Sequence, residues 1–262
     1  MPARDIWGAK SAAALGMPPV EPHISSMILT PIPREQLSDV LDRFGSGLDD
    51  PFSRAVFRRI RATSPDRAVG AAAERHRQTA LVLARGVGMA VYPDCVECAF
   101  NWDGTALNSA TEAFVILHEA AHFLLAPAER RRLIDFGLGP GPDTRNRKAA
   151  EQAAILSPLS RDEDETAASL LGIVWEAKLA QPALASFLDQ NWLEGLDRSA
   201  CSHFAAVLDK LRRRGFLEVN FGVSDMARTD RAGRAGAARS ATPDTGPSPP
   251  AEQPIEDAGL RA

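Results

Sequence analysis

The residues best suited to chemistry lie in one short stretch, His118-Glu119-Ala-Ala-His122. A helix turns once every 3.6 residues, so positions four apart stack along one face and two imidazoles can aim a nitrogen each at a single point. Glu119 lies about 100° further round the helix, close enough to move a proton beside a metal without ligating it. Phe114, Val115, Leu117, Phe123 and Leu124 surround the motif with apolar side chains, and a dry surround strengthens the field of a metal ion. The chain has only five histidines, so this spacing is an uncommon accident.

Two histidines need a third ligand. No histidine follows His122 until His203, which removes the close histidine sequel of the metzincins. The acidic run Asp162-Glu-Asp-Glu165 is the better source. Carboxylates in the first helical turn favour the helix dipole, but four are more than a cap needs. Glu165 lies deepest and leads into Ala168, Leu171 and Ile173, so it is expected to face inward, with Glu163 as the runner-up. Two histidines and a carboxylate leave coordination positions open. With Zn²⁺ such a site hydrolyses, Glu119 acting as general base; with Fe²⁺ it resembles the facial triad of oxygenases. A fourth ligand from Asp162, Glu163 or Asp164 would instead close it into a structural site. The ligands alone do not choose.

These groups must be positioned mainly by helices, because the dominant hydrophobic period is helical. Residues 34–44, 52–62 and 67–85 read as helices, the third ended by Gly86 and Gly88. Met89–Tyr92 and Cys98–Trp102 read as short strands around an Asp103-Gly104 turn. Ser109-Ala-Thr-Glu112 fits a capping box for the histidine helix, which must stop by Pro127, and Ser160-Arg-Asp-Glu163 fits another for the helix that stops before Pro182. A last helix spans about 198–214. The expected fold is mainly α (α+β with a few short strands): one globular domain over residues 26–223 with a zincin-like metal helix. Residues 1–25 are weakly patterned and expected to be loosely ordered. Residues 224–262 are rich in Ala, Gly, Pro, Arg and Ser and expected to be a disordered tail.

The formal net charge of -4 gives no electrostatic reason to expect direct nucleic-acid binding. No run approaches the ~20 apolar residues of a membrane span, so a cytoplasmic protein with no membrane contact is expected. Cys95-Val-Glu-Cys98 has no second C-x-x-C to complete a zinc site, and its cysteines are read as ordinary ones.

The run HEAAHFLLAPAERRRLIDFG, followed by Pro142-Asp143-Thr-Arg145, resembles the bacterial elongation factor P hydroxylases. The likeness covers about residues 111–195, including Glu165 with Leu170-Leu171 and the Asn191-Trp-Leu-Glu194-Gly195 element. It implies a metal-dependent monooxygenase that uses O₂ as co-substrate and hydroxylates a modified lysine on elongation factor P or another protein substrate. By position, His118, His122 and Glu165 would hold iron, with Zn²⁺ the alternative metal, and Glu119 would be a nearby acid–base group. Arg130, Arg131, Asp135, Asp143 and Arg145 would shape the substrate mouth. The chain departs from the family in an Ala-rich segment between Arg145 and Glu165 and in the Trp of Asn191-Trp192.

Overall fold

The computed structural model describes residues 32–93, 98–193 and 199–217. The segments 1–25 and 224–262 lie outside them, as do Cys95, Glu194, Gly195 and Arg198. Eight α-helices account for most of the described chain: α1 Leu37–Ser46, α2 Pro51–Arg61, α3 Gly70–Gly86, α4 Ala113–Leu125, α5 Arg147–Ala153, α6 Pro158–Lys178, α7 Ala183–Asp189 and α8 Ala200–Arg213. Two short 3₁₀ turns, Arg130–Arg132 and Ile134–Gly137, follow α4.

Local chemistry accounts for the boundaries. Asp50 accepts hydrogen bonds from the Phe52 and Ser53 amides and Pro51 takes the first position of α2, where its missing donor costs nothing. Ser157 and Pro158 do the same for α6, so this helix begins three residues before the expected Ser160 box. The acidic run 162–165 therefore stands beyond the first turn, where the helix dipole does little for it. The Ser109 box does not form either. Glu112 is the residue before α4 and gives no side-chain cap, while the Ser109 carbonyl accepts from Arg77. α4 is held instead by burial of Ile116, Leu117, Ala120, Ala121 and Phe123. At its far end Pro127 follows, and Arg131 and Arg214 donate to the carbonyls of Ala126 and Leu125.

The expected strands do not form. Among the described residues only isolated bridges occur, Val91 with Leu107 and Trp102 with Leu107. One residue serves both neighbours, so neither pairing extends into a ladder. The short α5 and α7, unforeseen in the sequence, pack against the Ile134–Gly137 turn and against α6 and α2 respectively. Cys98 is disulfide-bonded, contrary to the reading of it as an ordinary cysteine, and Cys201 is free.

α4 and α6 form the centre, with α3 on the other side of α4 and α2, α7 and α8 around α6. Phe44, Phe57, Phe187 and Phe204 interlock in tilted and edge-to-face pairs at 4.8–6.4 Å and fill the space between α1, α2, α7 and α8. No described helix is long and apolar enough to cross a membrane.

α6 comes close to the α4 backbone at Gly172. A methyl group there would lie 3.3 Å from both the Cα and the N of His118. Glycine costs a helix interior about 0.5–1 kcal/mol relative to alanine, so the sequence accepts that penalty to bring α6 against the first histidine. Gly172→Val should lower stability by about 1–3 kcal/mol, read as a lower urea midpoint, because backbone rather than a flexible side chain must yield. An unchanged midpoint would show that α4 and α6 do not approach this closely.

Candidate metal centre

α4 carries His118 and His122 one turn apart, with their Nε2 atoms 3.0 Å from each other. α6 runs past them in the opposite sense, Gly172 beside His118 and Asp164 beside His122. That path brings Glu165 Oε2 to 3.4 Å from both Nε2 atoms. The point equidistant from these three atoms lies about 1.9 Å from each, just inside the ~2.0–2.2 Å bonds that imidazole and carboxylate make to a divalent transition metal. One ion displaced slightly from their plane therefore reaches all three, and the residues present fit a metal. Among the described residues, His118, His122 and Glu165 are the one group of His, Cys, Asp and Glu found with such convergence.

A bound histidine needs its other nitrogen tied down. His122 Nδ1 lies 3.0 Å from Asp164 Oδ2, and the carboxylate can only accept, so Nδ1 carries a hydrogen and Nε2 is the nitrogen that would meet a metal on giving up its own proton. Asp164 is fixed in turn by Arg130, whose Nη1 and Nη2 donate to Oδ1 and Oδ2 at 3.1 and 3.0 Å. The Arg130 Nε donates to the Phe136 carbonyl at 2.9 Å. Behind this chain Trp102 and Phe136 stack almost parallel at 5.5 Å, and Phe136 stacks on His122 at 5.6 Å. Both histidine nitrogens are thereby oriented before any metal arrives.

The charges match this frame. Burial acts against ionisation of Asp164, yet His122 and Arg130 bring its carboxyl down to about 2. Glu165 is half-buried; burial opposes its charge too, but His118 and His122 outweigh it and hold the carboxyl far below the usual carboxylate range. Burial opposes a charge on His122, but Asp164 and Glu165 outweigh it and push the imidazole up to about 10. Glu119 is half-buried; burial raises its carboxyl, the two histidines pull the other way, and Asp135 and Glu165 reinforce the rise. Asn101 Nδ2 donates to Glu119 Oε1 at 3.4 Å.

His118, His122, Glu165 and Glu119 all line one cavity of about 510 Å³. Phe114, Val115, Phe136 and Leu138 make its apolar walls, and Trp192 and His203, stacked at 5.4 Å, belong to its lining. Asp135 and Asp143 also line it, Asp143 at an exposed position. Asp135 has a left-handed backbone (φ 44°), as does Phe136 (φ 54°), and its Oδ2 accepts from the Thr144 hydroxyl at 2.9 Å. Burial raises its carboxyl, and Thr144 partly offsets this.

The other sequence candidates stand elsewhere. Arg130 does not line the cavity but supports Asp164, and Arg131 caps α4 and lies over the Phe123 ring at 4.7 Å. Arg145 is exposed outside the cavity. Glu163 pairs with Lys210 at 2.7 Å, away from the histidines. Asp164, a possible closing ligand on sequence grounds, is engaged by Nδ1 of His122 instead. Sequence reasoning missed this role, along with Asn101, Thr144 and Trp192. A carboxylate behind a ligating histidine was the one signal available, since such partners accompany metal-bound imidazoles generally.

No family model, curated protein or solved structure matches the chain.

Asp164→Asn should weaken divalent-metal affinity about 10–100-fold with the helical spectrum unchanged, because the amide can orient His122 the wrong way round and no longer balances Arg130. Metal uptake near neutral pH should also release a proton from His122, whose raised value keeps it charged in the metal-free protein; titration calorimetry in two buffers of different ionisation enthalpy measures it. Unchanged affinity in Asp164→Asn would remove Asp164 from the site.

Proposed function

We propose that this protein is a metal-dependent hydroxylase acting on a cationic side chain, with iron held by His118, His122 and Glu165. The observation that carries the reading is the convergence of three ligand atoms, and no fourth among the described residues, on one wall of a cavity large enough for a long side chain. Iron, when bound, supplies one-electron chemistry toward dioxygen at coordination positions that the protein leaves open. One oxygen atom would enter a C–H bond and the other would leave as water, with two electrons and two protons from an external reductant.

The protein's own groups perform the rest. Asp164 and Arg130 keep Nε2 of His122 available. Glu119, with its raised carboxyl, holds or passes a proton beside the ligands. Phe114, Val115, Phe136 and Leu138 exclude water from the reacting carbon. Among the described residues the cavity lining holds four carboxylates, Glu119, Asp135, Asp143 and Glu165, and no lysine or arginine. With Glu119 holding its proton, the other three carboxylates still outnumber the two charges of a divalent ion when ionised, which favours a substrate with a cationic end. A modified lysine has that charge and length. This agrees with the resemblance of residues 111–195 to the elongation factor P hydroxylases, and elongation factor P is the substrate we propose.

The second reading, a zinc peptidase with Glu119 as general base, is favoured by the place of Glu119 beside the ligands. It lacks one ordinary feature: no strand edge borders the cavity among the described residues to align an extended peptide.

The intact mass of elongation factor P from cells with and without this gene tests the proposal. The gene should add one oxygen atom, and His118→Ala should abolish the addition. An identical mass in cells that carry the lysine modification would exclude this substrate.

A further inference from the structure

Residues 145–161 lie outside the cavity lining but adjoin the loop beside it through Gly137, Pro140 and Gly141, and this adjoining rim carries mainly cations. Within this segment Arg145, Arg147, Lys148 and Arg161 stand against the single acid Glu151, with the exposed acids Asp143 and Asp162 at its two ends. None of the ion pairs among the described residues uses a side chain from this segment. The segment is tied to the cavity mouth: Arg147 donates to the Gly141 carbonyl at 3.0 Å and Arg161 to the Pro140 carbonyl at 3.2 Å. Gly139, Gly141, Pro142 and Asp143 of that loop line the cavity itself. Arg145 and Lys148 are exposed, and among the described residues their side chains have no hydrogen-bond or ion-pair partner.

Two large apolar side chains sit among these cations. Ile155 is 62% exposed and Leu159 71%. The backbone amide of Ile155 donates to the Gly137 carbonyl at 2.9 Å, which fixes it beside the Asp135–Gly137 turn. Uncompensated cations alone describe an ordinary solvated face. Cations on the same segment as an exposed isoleucine and leucine, beside the loop that lines a cavity, suit a contact surface that combines charge with apolar area. Nucleic acid would use the cations but gains little from the two aliphatic side chains.

We infer that this rim docks an acidic protein surface, from which a single cationic side chain projects into the acidic cavity. The inference rests on the proposed reading of the cavity as a site for a cationic side chain, and it specifies the surround: anionic groups flanking the target. Opposite charges at mouth and interior would reject a free amine, which satisfies only the cavity, and an acidic protein with no projecting cation, which satisfies only the rim.

The test uses the full chain and a fluorescein-labelled peptide with one lysine flanked on both sides by short runs of aspartate and glutamate. Anisotropy should show binding that weakens at least tenfold in Arg145→Glu/Lys148→Glu and between about 0.05 and about 0.3 M salt. Arg58→Glu/Arg59→Glu makes the same change in net charge at exposed positions on α2 and should leave binding within twofold. Equal weakening in both variants, or none in the first, would overturn the inference. So would an oligothymidylate of equal charge that binds as tightly as the peptide and is weakened by the same rim variant, since the rim would then be a nucleic-acid surface. Hydroxylation is no part of the readout, so failure of the proposed activity leaves this result independent.

Discussion

Two imidazole nitrogens 3.0 Å apart, with a carboxylate oxygen 3.4 Å from each, cannot all turn lone pairs to one point unless a proton or a metal ion stands between them. Lone pairs at that distance repel, and the low dielectric around α4 makes the repulsion costly. In the metal-free protein a proton fills that place, which is why His122 holds it up to about 10 while Glu165 stays ionised. A divalent ion fills it better, because it bonds all three atoms at once. Metal and proton thus compete for one position, and the surrounding structure sets the terms of that competition.

The surrounding structure consists mostly of the α4–α6 contact and the groups that stiffen it. Gly172 lets the helices close at His118, and Asp164, two turns back along α6, meets His122. Arg130 then anchors Asp164 from the loop after α4, so that loop cannot move without loosening a histidine. The left-handed backbone at Asp135 and Phe136 belongs to the same frame, because it turns Phe136 under His122 while keeping the Asp135 carboxylate in the cavity. Strain of this kind persists where its surroundings over-determine it, and here Thr144, Trp102 and Arg130 all contribute.

Much of this was legible in the sequence because helical spacing is local. His118 and His122 meet whatever the rest of the chain does, and Glu165 stood out as the acid deepest in an apolar helix. The part of Asp164 was not legible: it depends on how α6 is rotated against α4, and two adjacent carboxylates look alike until that rotation is known. Arg130 and Arg131 read as one basic pair, yet one supports the metal site and the other caps a helix, since neighbouring side chains on a turn point in different directions. The strand expectation at 89–92 and 98–102 failed for a related reason. Apolar runs of four or five residues lack the length to specify pairing, and Leu107 satisfies both neighbours alone.

The most direct measurement is an anaerobic titration of the metal-free protein with Co²⁺, followed by its visible absorption. The account predicts saturation at one equivalent, with the weak bands of an ion that has three protein ligands and open positions filled by solvent, and no such signal in His122→Ala or Glu165→Ala proteins that keep their helical spectrum. Intense bands of a closed tetrahedral site, or a signal that survives both substitutions, would contradict it.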